Sequence, residues 1–183
     1  MREPTGEDAS AAGTNSASLD EHDQEILDFW RRALPALERG RVPVVVGHVP
    51  SQTLPPPAWS FGATPAMADE LLKLVLEGRK SATASALWDY AAQEESVPQV
   101  GDLSIILDGG GRPRALIVTT RVRVIPFEDV DAEHAAAEGE GDRSLAHWRE
   151  VHERFFTEHA DHDRGFSTDM PVVCEDFEVV FRE

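Results

Sequence analysis

The sequence predicts an α+β protein with a small curled sheet or barrel. Two apolar stretches, "QVGDLSIIL" and "PRALIVTTRVRVIPF", flank the turn signal "DGGG" at 108–111, and together they predict a β-hairpin. A third apolar stretch, "VCEDFEVVF", predicts a strand near the C-terminus. Segments with helical periodicity separate these strands, and that arrangement is typical of the α+β class.

The size, net charge and cysteine content of the chain limit the classes of protein to which it can belong. The 183 residues are 41% hydrophobic, which suits one domain of ordinary size with an added tail. A net charge of −17 argues against tight, nonspecific binding to nucleic acid, although a small basic pocket remains compatible with it. The chain has one cysteine, no apolar leader and no apolar run of membrane-spanning length, so we expect a cytoplasmic protein without a membrane partner. Cys174 lies in an apolar run and is expected to be a small core residue.

Residues 1–18 lack apolar periodicity, and we expect a disordered tail there. A helix is predicted to start with Ser18 or Asp20 as its cap, and Pro35 is expected to kink or end it. Residues 19–58 are therefore interpreted as an N-terminal helix followed by a proline-rich linker. The apolar stripe of the helix comprises Ile26, Leu27, Phe29, Trp30, Ala33, Leu34 and Leu37.

A second helix has clear boundaries. Thr64 is a good N-cap, Pro65 fits the first helical position, and Gly78 provides a stop. The following stretch, "KSATASALWDY", is compatible with a strand or with a second short helix.

Two more helices are predicted after the hairpin. Asp129 or Asp131 opens the first, and the glycines at 139 and 141 break it into a loop. The stretch "SLAHWREVHERFFTEH" predicts an amphipathic helix. Its inward residues are Leu145, Trp148, Val151, Phe155 and Phe156.

Lys80 and Thr83 are the first candidates for chemistry. A threonine hydroxyl becomes a nucleophile when a neighbour removes its proton, and a lysine can do so if burial lowers its pKa toward neutrality. A spacing of three lets the two side chains meet on a helix, and they can also meet in a turn leading into a strand. The alternative is a solvated lysine that favours the negative end of a helix.

The stretch "AEGEGDRS" is the second candidate. Glu138 or Glu140 could relay a proton or hold a base, since the intervening glycines let the backbone approach a ligand. Alternatively, Asp142 or Ser144 caps the next helix and the glycines only make the turn.

Aromatic residues form the third candidate, because Trp88 and Tyr90 could stack on a nucleobase. Trp88 could equally pack in the core. His159 and His162 lie in a polar segment without metal-ligand spacing, so no metal site is expected. No phosphate-binding or dinucleotide fingerprint occurs, and no cofactor is expected.

Three blocks of the sequence resemble the ASCH-domain family, and within it the YhfF-like branch. They are "WSFGATPAMADELLKLVLEGRKSATASALWDY", "VGDLSIILDGGGRPRALIVTTRVRVIPFEDV" and "AEGEGDRSLAHWREVH". The resemblance covers about Trp59 to Arg182 and implies an ASCH domain over 59–183. It implies a PUA-like fold, a small mixed β-barrel with flanking helices and a cleft on one side, here with an N-terminal helical extension. It also implies a link to RNA or its components.

A compact branch of the family hydrolyses the amide of N4-acetylcytidine with a lysine, a threonine and a glutamate. The resemblance implies Thr83 as nucleophile, Lys80 as activating base, and Glu138 as proton relay or orienting acid. The matching motifs are "GRKxxT", at Gly78, Arg79, Lys80 and Thr83, and "HAxxE", at His134, Ala135 and Glu138. The branch has an arginine two residues after the threonine, where this chain has Ser85.

The expected function is an RNA- or nucleoside-related hydrolase, possible substrates being N4-acetylcytidine-like amides. One alternative is a ribonuclease that uses Lys80 and Glu138 as acid and base; another is a noncatalytic module for RNA or modified nucleotides. The expected partner is a nucleoside or RNA fragment in a cleft, and the N-terminal helix either covers the domain or makes a homodimer contact. Substrate-binding candidates are Arg79, Ser85, Trp88, Tyr90, Glu140, Arg143 and Ser144.

Overall fold

The structure is a computed structural model that describes residues 14–39 and 54–183. Residues 1–13 of the tail expected at 1–18, and residues 40–53 of the helix and linker expected at 19–58, lie outside the described residues. No helix among the described residues is long and apolar enough to span a membrane. The helices are α1 (Thr14–Arg39), α2 (Pro65–Leu76), α3 (Leu87–Ala92), α4 (Ala132–Glu138) and α5 (Leu145–Glu158), with a 3-10 turn at Phe127–Asp129. The strands are β1 (Ala58–Trp59), β2 (Ala82–Ala86), β3 (Leu103–Leu107), β4 (Pro113–Pro126) and β5 (Pro171–Arg182).

The five strands form one mixed sheet in the order β1-β3-β4-β5-β2, which confirms the α+β class. Only the β1–β3 pair is parallel in the described chain, and the other three pairs are antiparallel. The edge strands β1 and β2 do not pair with each other within the described ranges, so of the two expected forms, a small curled sheet or a barrel, the sheet is not closed into a barrel. Register shifts in β4, one of them between Thr119 and Arg121, are irregularities of the kind that bend a strand.

The predicted hairpin is confirmed as β3 and β4. Its turn at 108–111 is held by Asp108, whose Oδ1 accepts hydrogen bonds from the backbone nitrogens of Gly110 and Arg112 at 2.9 and 3.0 Å. Because these side-chain bonds fix the turn, the two strands leave it in a defined register.

Helix α1 differs from its prediction at the N-terminus, because it begins at Thr14 rather than at Ser18 or Asp20. Pro35 lies inside the helix and does not end it. The apolar stripe is buried as predicted: Phe29 and Ala33 are fully buried, and the Phe29 ring meets the Phe181 ring of β5 edge-on at 5.4 Å. The helix therefore covers the β3–β4–β5 part of the sheet.

The local signals for α2 and its surroundings are confirmed. The Thr64 hydroxyl accepts a hydrogen bond from the backbone nitrogen of Met67, and Pro65 is the first helical residue. Gly78 follows the end of the helix with a φ of 71°, in the left-handed region. The ambiguous stretch after it contains both alternatives, since β2 runs directly into α3.

Two apolar clusters flank the site described next. On one side of the sheet, α4 and α5 pack against the sheet and its neighbouring loop. This cluster includes Trp148 and Phe156 of α5 together with Met170, Val172 and Cys174. Phe61, Leu72, Val75, Ile117 and Phe177 form a second cluster under α2. Cys174 is 1% exposed, which confirms its assignment to the core.

Candidate active site around a buried lysine

The end of α4 lies directly against the segment that precedes β2. Gly139 has a φ of 74°, and a Cβ atom there would be 2.3 Å from the carbonyl oxygen of Arg79. Glycine is therefore required both for the left-handed backbone and for the close approach. The Ser81 nitrogen donates to the carbonyl oxygen of Ala137 at 2.8 Å, which fixes the two segments together.

This approach brings Lys80 to two carboxylates. The Lys80 side chain is 1% exposed, and its Nζ donates to Glu138 Oε2 at 2.9 Å and to Glu140 Oε1 at 2.7 Å. The same Nζ lies 5.5 Å from the centre of the Phe61 ring, within the range of a cation–π contact. The ammonium group is thus held by two carboxylates and an aromatic face.

The second oxygen of Glu138 is held by α5 and by its own helix. Trp148 Nε1 donates to Glu138 Oε1 at 2.6 Å, and His152 Nε2 lies 3.5 Å from the same oxygen. His134 Nε2 is 3.1 Å from this oxygen, but neither ring nitrogen of His134 makes a hydrogen bond of good geometry. Glu138 therefore has both oxygens engaged and is 1% exposed.

The charges of the cluster reinforce one another. Burial alone would lower the pKa of Lys80, but Glu138 and Glu140 outweigh burial and raise that pKa above its ordinary value. Burial alone would raise the pKa of Glu138, yet Lys80, His152 and His134 hold it well below the ordinary glutamate value. Burial also opposes the charge of His134, but its contacts with Cys174 and Glu138 raise its pKa to about 9. Lys80 is consequently an ammonium ion, and the condition for a lysine base, a pKa lowered toward neutrality, is not met.

Thr83 lies in β2 and is half-buried. Its hydroxyl makes no side-chain hydrogen bond to Lys80 or to any other described residue. In the antiparallel pairing of β2 with β5, Thr83 lies directly opposite Glu175. The structure thus joins Lys80 to Glu138 and leaves Thr83 without a hydrogen bond to either of them.

Two of the expected substrate contacts, Ser85 on β2 and Tyr90 on α3, lie close together. Ser85 Oγ and the Tyr90 hydroxyl are 2.8 Å apart and form a hydrogen bond. Trp88 packs partly against the α4–α5 cluster, while the Arg164 guanidinium lies 5.0 Å from its ring centre. Trp88 is therefore half-buried, with a core contact and with Arg164 and His162 beside its ring.

The remaining substrate-binding candidates have structural contacts. Glu140 pairs with Lys80, and Arg143 donates through Nε to the carbonyl oxygen of Ala136 at 3.1 Å. Ser144 caps α5, since its hydroxyl accepts from the His147 nitrogen. Arg79 is about half exposed and lies 3.7 Å from Glu77.

Several residues of the site were not predicted as site residues. Trp148 and His152 were read only as part of an amphipathic helix, although their spacing of four places them on one helix face. Glu175 was read only as part of the terminal strand, yet it is 7% exposed and accepts a hydrogen bond from Thr119 Oγ1 at 2.6 Å. The same strand also carries Asp176 and Glu178, so no pattern in the sequence distinguished Glu175 from its acidic neighbours.

Other features lie away from this site. No group of three or more histidine, cysteine or acidic residues with metal-binding geometry occurs in the described part of the chain. A surface hollow of about 400 Å³ lies between α1 and the start of β4 and is lined by Asp28, Arg32 and Arg114 among others. That hollow does not include Lys80 or Glu138.

The sequence matches the family model of the ASCH domain over residues 57–181. This chain belongs to the ASCH domain family. A crystal structure of a protein from Enterococcus faecalis is 37% identical, with a TM-score of 0.71, and the match covers 85% of this chain and 88% of that one. The crystal structure of an ASCH domain from Lactobacillus crispatus is 31% identical, with a TM-score of 0.70, and the match covers 88% of this chain and 96% of that one. No curated protein sequence gives a significant match.

Membership of the family confirms the predicted resemblance and the PUA-like character of the fold, an RNA-binding type of fold. The assignment to the YhfF-like branch stays a prediction.

Proposed function

We propose that this ASCH domain hydrolyses the amide of an acylated nucleoside such as N4-acetylcytidine. The observation that carries the proposal is the buried cluster of Lys80, Glu138 and Glu140. A buried ion pair is a weak source of stability, because desolvating its charges offsets most of their attraction. Buried titratable groups with strongly shifted pKa values are enriched at active sites.

Each residue of the proposed site has a distinct role. Thr83 attacks the acyl carbon, and the Lys80 ammonium stabilises the negative charge that develops on the carbonyl oxygen. Glu138 holds the ammonium in place, and Trp148 in turn holds Glu138 by its 2.6 Å hydrogen bond. The lysine acts as a cation in this scheme rather than as the base implied by the family resemblance.

The polar groups beside Thr83 are suited to a nucleobase. Ser85 and Tyr90 form a hydroxyl pair that can donate and accept hydrogen bonds. Trp88 is half-buried, and a base would stack on its ring in place of the Arg164 guanidinium, which lies 5.0 Å from the ring centre. Ser85 replaces the arginine of the compact branch, so we expect the pocket to recognise its substrate by neutral hydroxyls at this position. Arg79 and Arg143 are the nearest arginines in sequence to the catalytic motifs and are candidates for contacting a phosphate or sugar.

A noncatalytic binding module is the second candidate. It is favoured by the Thr83 hydroxyl, which makes no hydrogen bond to any described residue, because an activated nucleophile is usually bonded to its base. It predicts binding of the nucleoside without turnover. The ribonuclease alternative has less support, since Lys80 and Glu138 neutralise each other and neither offers a free acid or base.

The test is release of cytidine and acetate from N4-acetylcytidine, measured by liquid chromatography. We expect turnover by the wild type and at least about 100-fold less by Thr83→Val, which keeps the side-chain shape but removes the nucleophile. Thr120→Val is the matched control, because Thr120 is an exposed threonine on β4. Equal activity of Thr83→Val and the wild type would refute the nucleophile. No turnover, combined with a rise in melting temperature on adding the nucleoside, would favour the binding module.

A further inference from the structure

Glu175 is a nearly buried carboxylate outside the lysine cluster. Its Oε1 accepts the 2.6 Å hydrogen bond from Thr119, whereas its Oε2 makes no hydrogen bond in the described part of the chain. Among the described residues, the fully buried side-chain atoms without a hydrogen-bond partner are ring nitrogens of His134 and His162. Because Oε2 of Glu175 has no partner and is not one of these atoms, part of its surface is open to solvent. One oxygen of Glu175 is therefore fixed, and the other has no hydrogen-bond partner in the described part of the chain.

The accessible oxygen lies on the side of the sheet that carries Thr83. Residues directly opposite each other in an antiparallel pair point to the same face, with Cβ atoms about 5 Å apart. Thr83 and Glu175 form such a pair, and the β2–β5 register is regular from Ala82 to Ala86. Ser85 follows Thr83 by two residues and lies on the same face.

The lysine ammonium reaches this face as well. Phe177 lies two residues after Glu175 and so points to the same side. The Phe177 ring packs against Phe61 at 6.0 Å, and Lys80 Nζ lies over the Phe61 ring. The cation therefore borders, through Phe61 and Phe177, the side of the sheet that carries the Thr83 hydroxyl and the Glu175 carboxylate.

We propose that Glu175 is the catalytic base, which takes the proton from the Thr83 hydroxyl. This inference rests on the proposed function and supplies the catalytic base, to which the proposed function assigns no residue. Lys80 carries its proton between two carboxylates and cannot accept another. Both oxygens of Glu138 are already engaged, by Lys80 and by Trp148.

The reaction can be written with every proton assigned. As Thr83 Oγ1 bonds to the acyl carbon, its proton moves to Glu175 Oε2, and the carbonyl electron pair moves onto oxygen beside Lys80. Collapse of this intermediate breaks the carbon–nitrogen bond, and Glu175 returns the proton to the leaving amine. Water then attacks the acyl-threonine ester, again giving its proton to Glu175, and the carboxylic acid is released as the hydroxyl of Thr83 is restored.

The surroundings of Glu175 make its carboxylate a better proton acceptor than an ordinary glutamate. Burial raises its pKa, the hydrogen bond from Thr119 lowers it, and the carboxylates of Asp102 and Asp176 raise it further. Tyr90 is the other titratable group whose charge would reach Glu175. The net direction is upward from the ordinary glutamate value, which strengthens Glu175 as a proton acceptor.

The experiment uses p-nitrophenyl acetate as a reactive probe together with N4-acetylcytidine. Acetylation of Thr83 by the probe is followed by mass spectrometry of its peptide, as a function of pH, in the full-length chain. Glu175→Gln keeps the size of the side chain and an oxygen that can accept from Thr119. Glu178→Gln, an exposed glutamate on the same strand, is the matched control.

We expect Glu175→Gln to acetylate Thr83 at least about 100-fold more slowly and to lose the acidic limb of the pH profile, while Glu178→Gln matches the wild type. An unchanged rate or an unchanged acidic limb in Glu175→Gln would overturn the inference, as would a wild type that is never acetylated at Thr83. Acetylation by the probe that depends on Glu175, without turnover of N4-acetylcytidine, would refute the proposed substrate and leave the role of Glu175 intact.

Discussion

Replacing Lys80 by methionine tests the buried cluster most directly. Methionine fills a similar volume but leaves Glu138 as a buried carboxylate without its cation. Removal of one partner from a buried pair costs about 3–5 kcal/mol. Glu138 is 1% exposed, so water cannot replace the ammonium, whereas the Glu140 side chain is 22% exposed and can turn toward solvent. At about 2–4 °C per kcal/mol for a chain of this size, we expect the melting temperature to fall by roughly 6–20 °C.

The melting temperature is measured by thermal unfolding and the free energy of unfolding by equilibrium unfolding in urea, both followed by circular dichroism. Lys73→Met is the control. The Lys73 side chain is 74% exposed and lies 4.0 Å from Glu77, so its loss should change the free energy of unfolding by less than about 1 kcal/mol. The double variant Lys80→Met with Glu138→Gln should be less destabilised than the sum of the two single variants. A cost for Lys80→Met no larger than that for Lys73→Met, or strict additivity in the double variant, would refute the coupled buried pair.

Three further predictions concern the same region. Gly139→Ala should destabilise the protein by roughly 2–5 kcal/mol in urea unfolding, because its φ is positive and the added Cβ atom would clash with Arg79. Gly78 has a similar φ but open space around it, so Gly78→Ala should cost only about 1–2 kcal/mol. Because the pKa of His134 is raised, its protonated side chain stabilises the fold, and this contribution is complete below pH 6.5. Up to about 3 kcal/mol of the free energy of unfolding should be lost as the pH rises through about 9. Unfolding curves of His134→Gln should lack this dependence on pH. Glu175→Gln should melt at a higher temperature than the wild type at neutral pH, because a carboxyl with a raised pKa disfavours folding only when it is ionised. The difference in melting temperature should disappear as the pH falls. A lower melting temperature of the variant at neutral pH would contradict this.

The parts of the fold that could be predicted depend on local rules. The cap at Thr64, the stop at Gly78 and the turn at 108–111 each follow from side-chain and backbone preferences within four residues. Helix α1 shows the limit of such rules, since its start and the tolerated Pro35 were not predicted. The choice between a curled sheet and a barrel could not be predicted either, because closure depends on how the edge strands β1 and β2 meet, which no local pattern specifies.

The candidate site depends on contacts between residues far apart in the chain. Lys80 and Glu138 were linked only through the family resemblance, because nothing in the spacing of two distant residues indicates that they touch. The close approach at Gly139 was likewise hidden, since the sequence marks the glycine as a turn but not as a contact with Arg79. Glu175 escaped notice because its importance comes from the β2–β5 register, and register is set by the whole sheet.

The two carboxylates of the proposed mechanism should separate stability from activity. Glu138 is ionised and fully paired, so its loss should reduce both the free energy of unfolding and the stabilisation of the transition state by Lys80. Glu175 is disfavoured as an anion by burial and by Asp102 and Asp176, so its neutral replacement should increase stability while removing the base. Opposite changes of stability and activity on a single substitution are the signature of a residue kept for chemistry, because a purely structural carboxylate would lower both or neither. The contrast between Glu138 and Glu175 therefore distinguishes the group that positions the cation from the group that moves the proton.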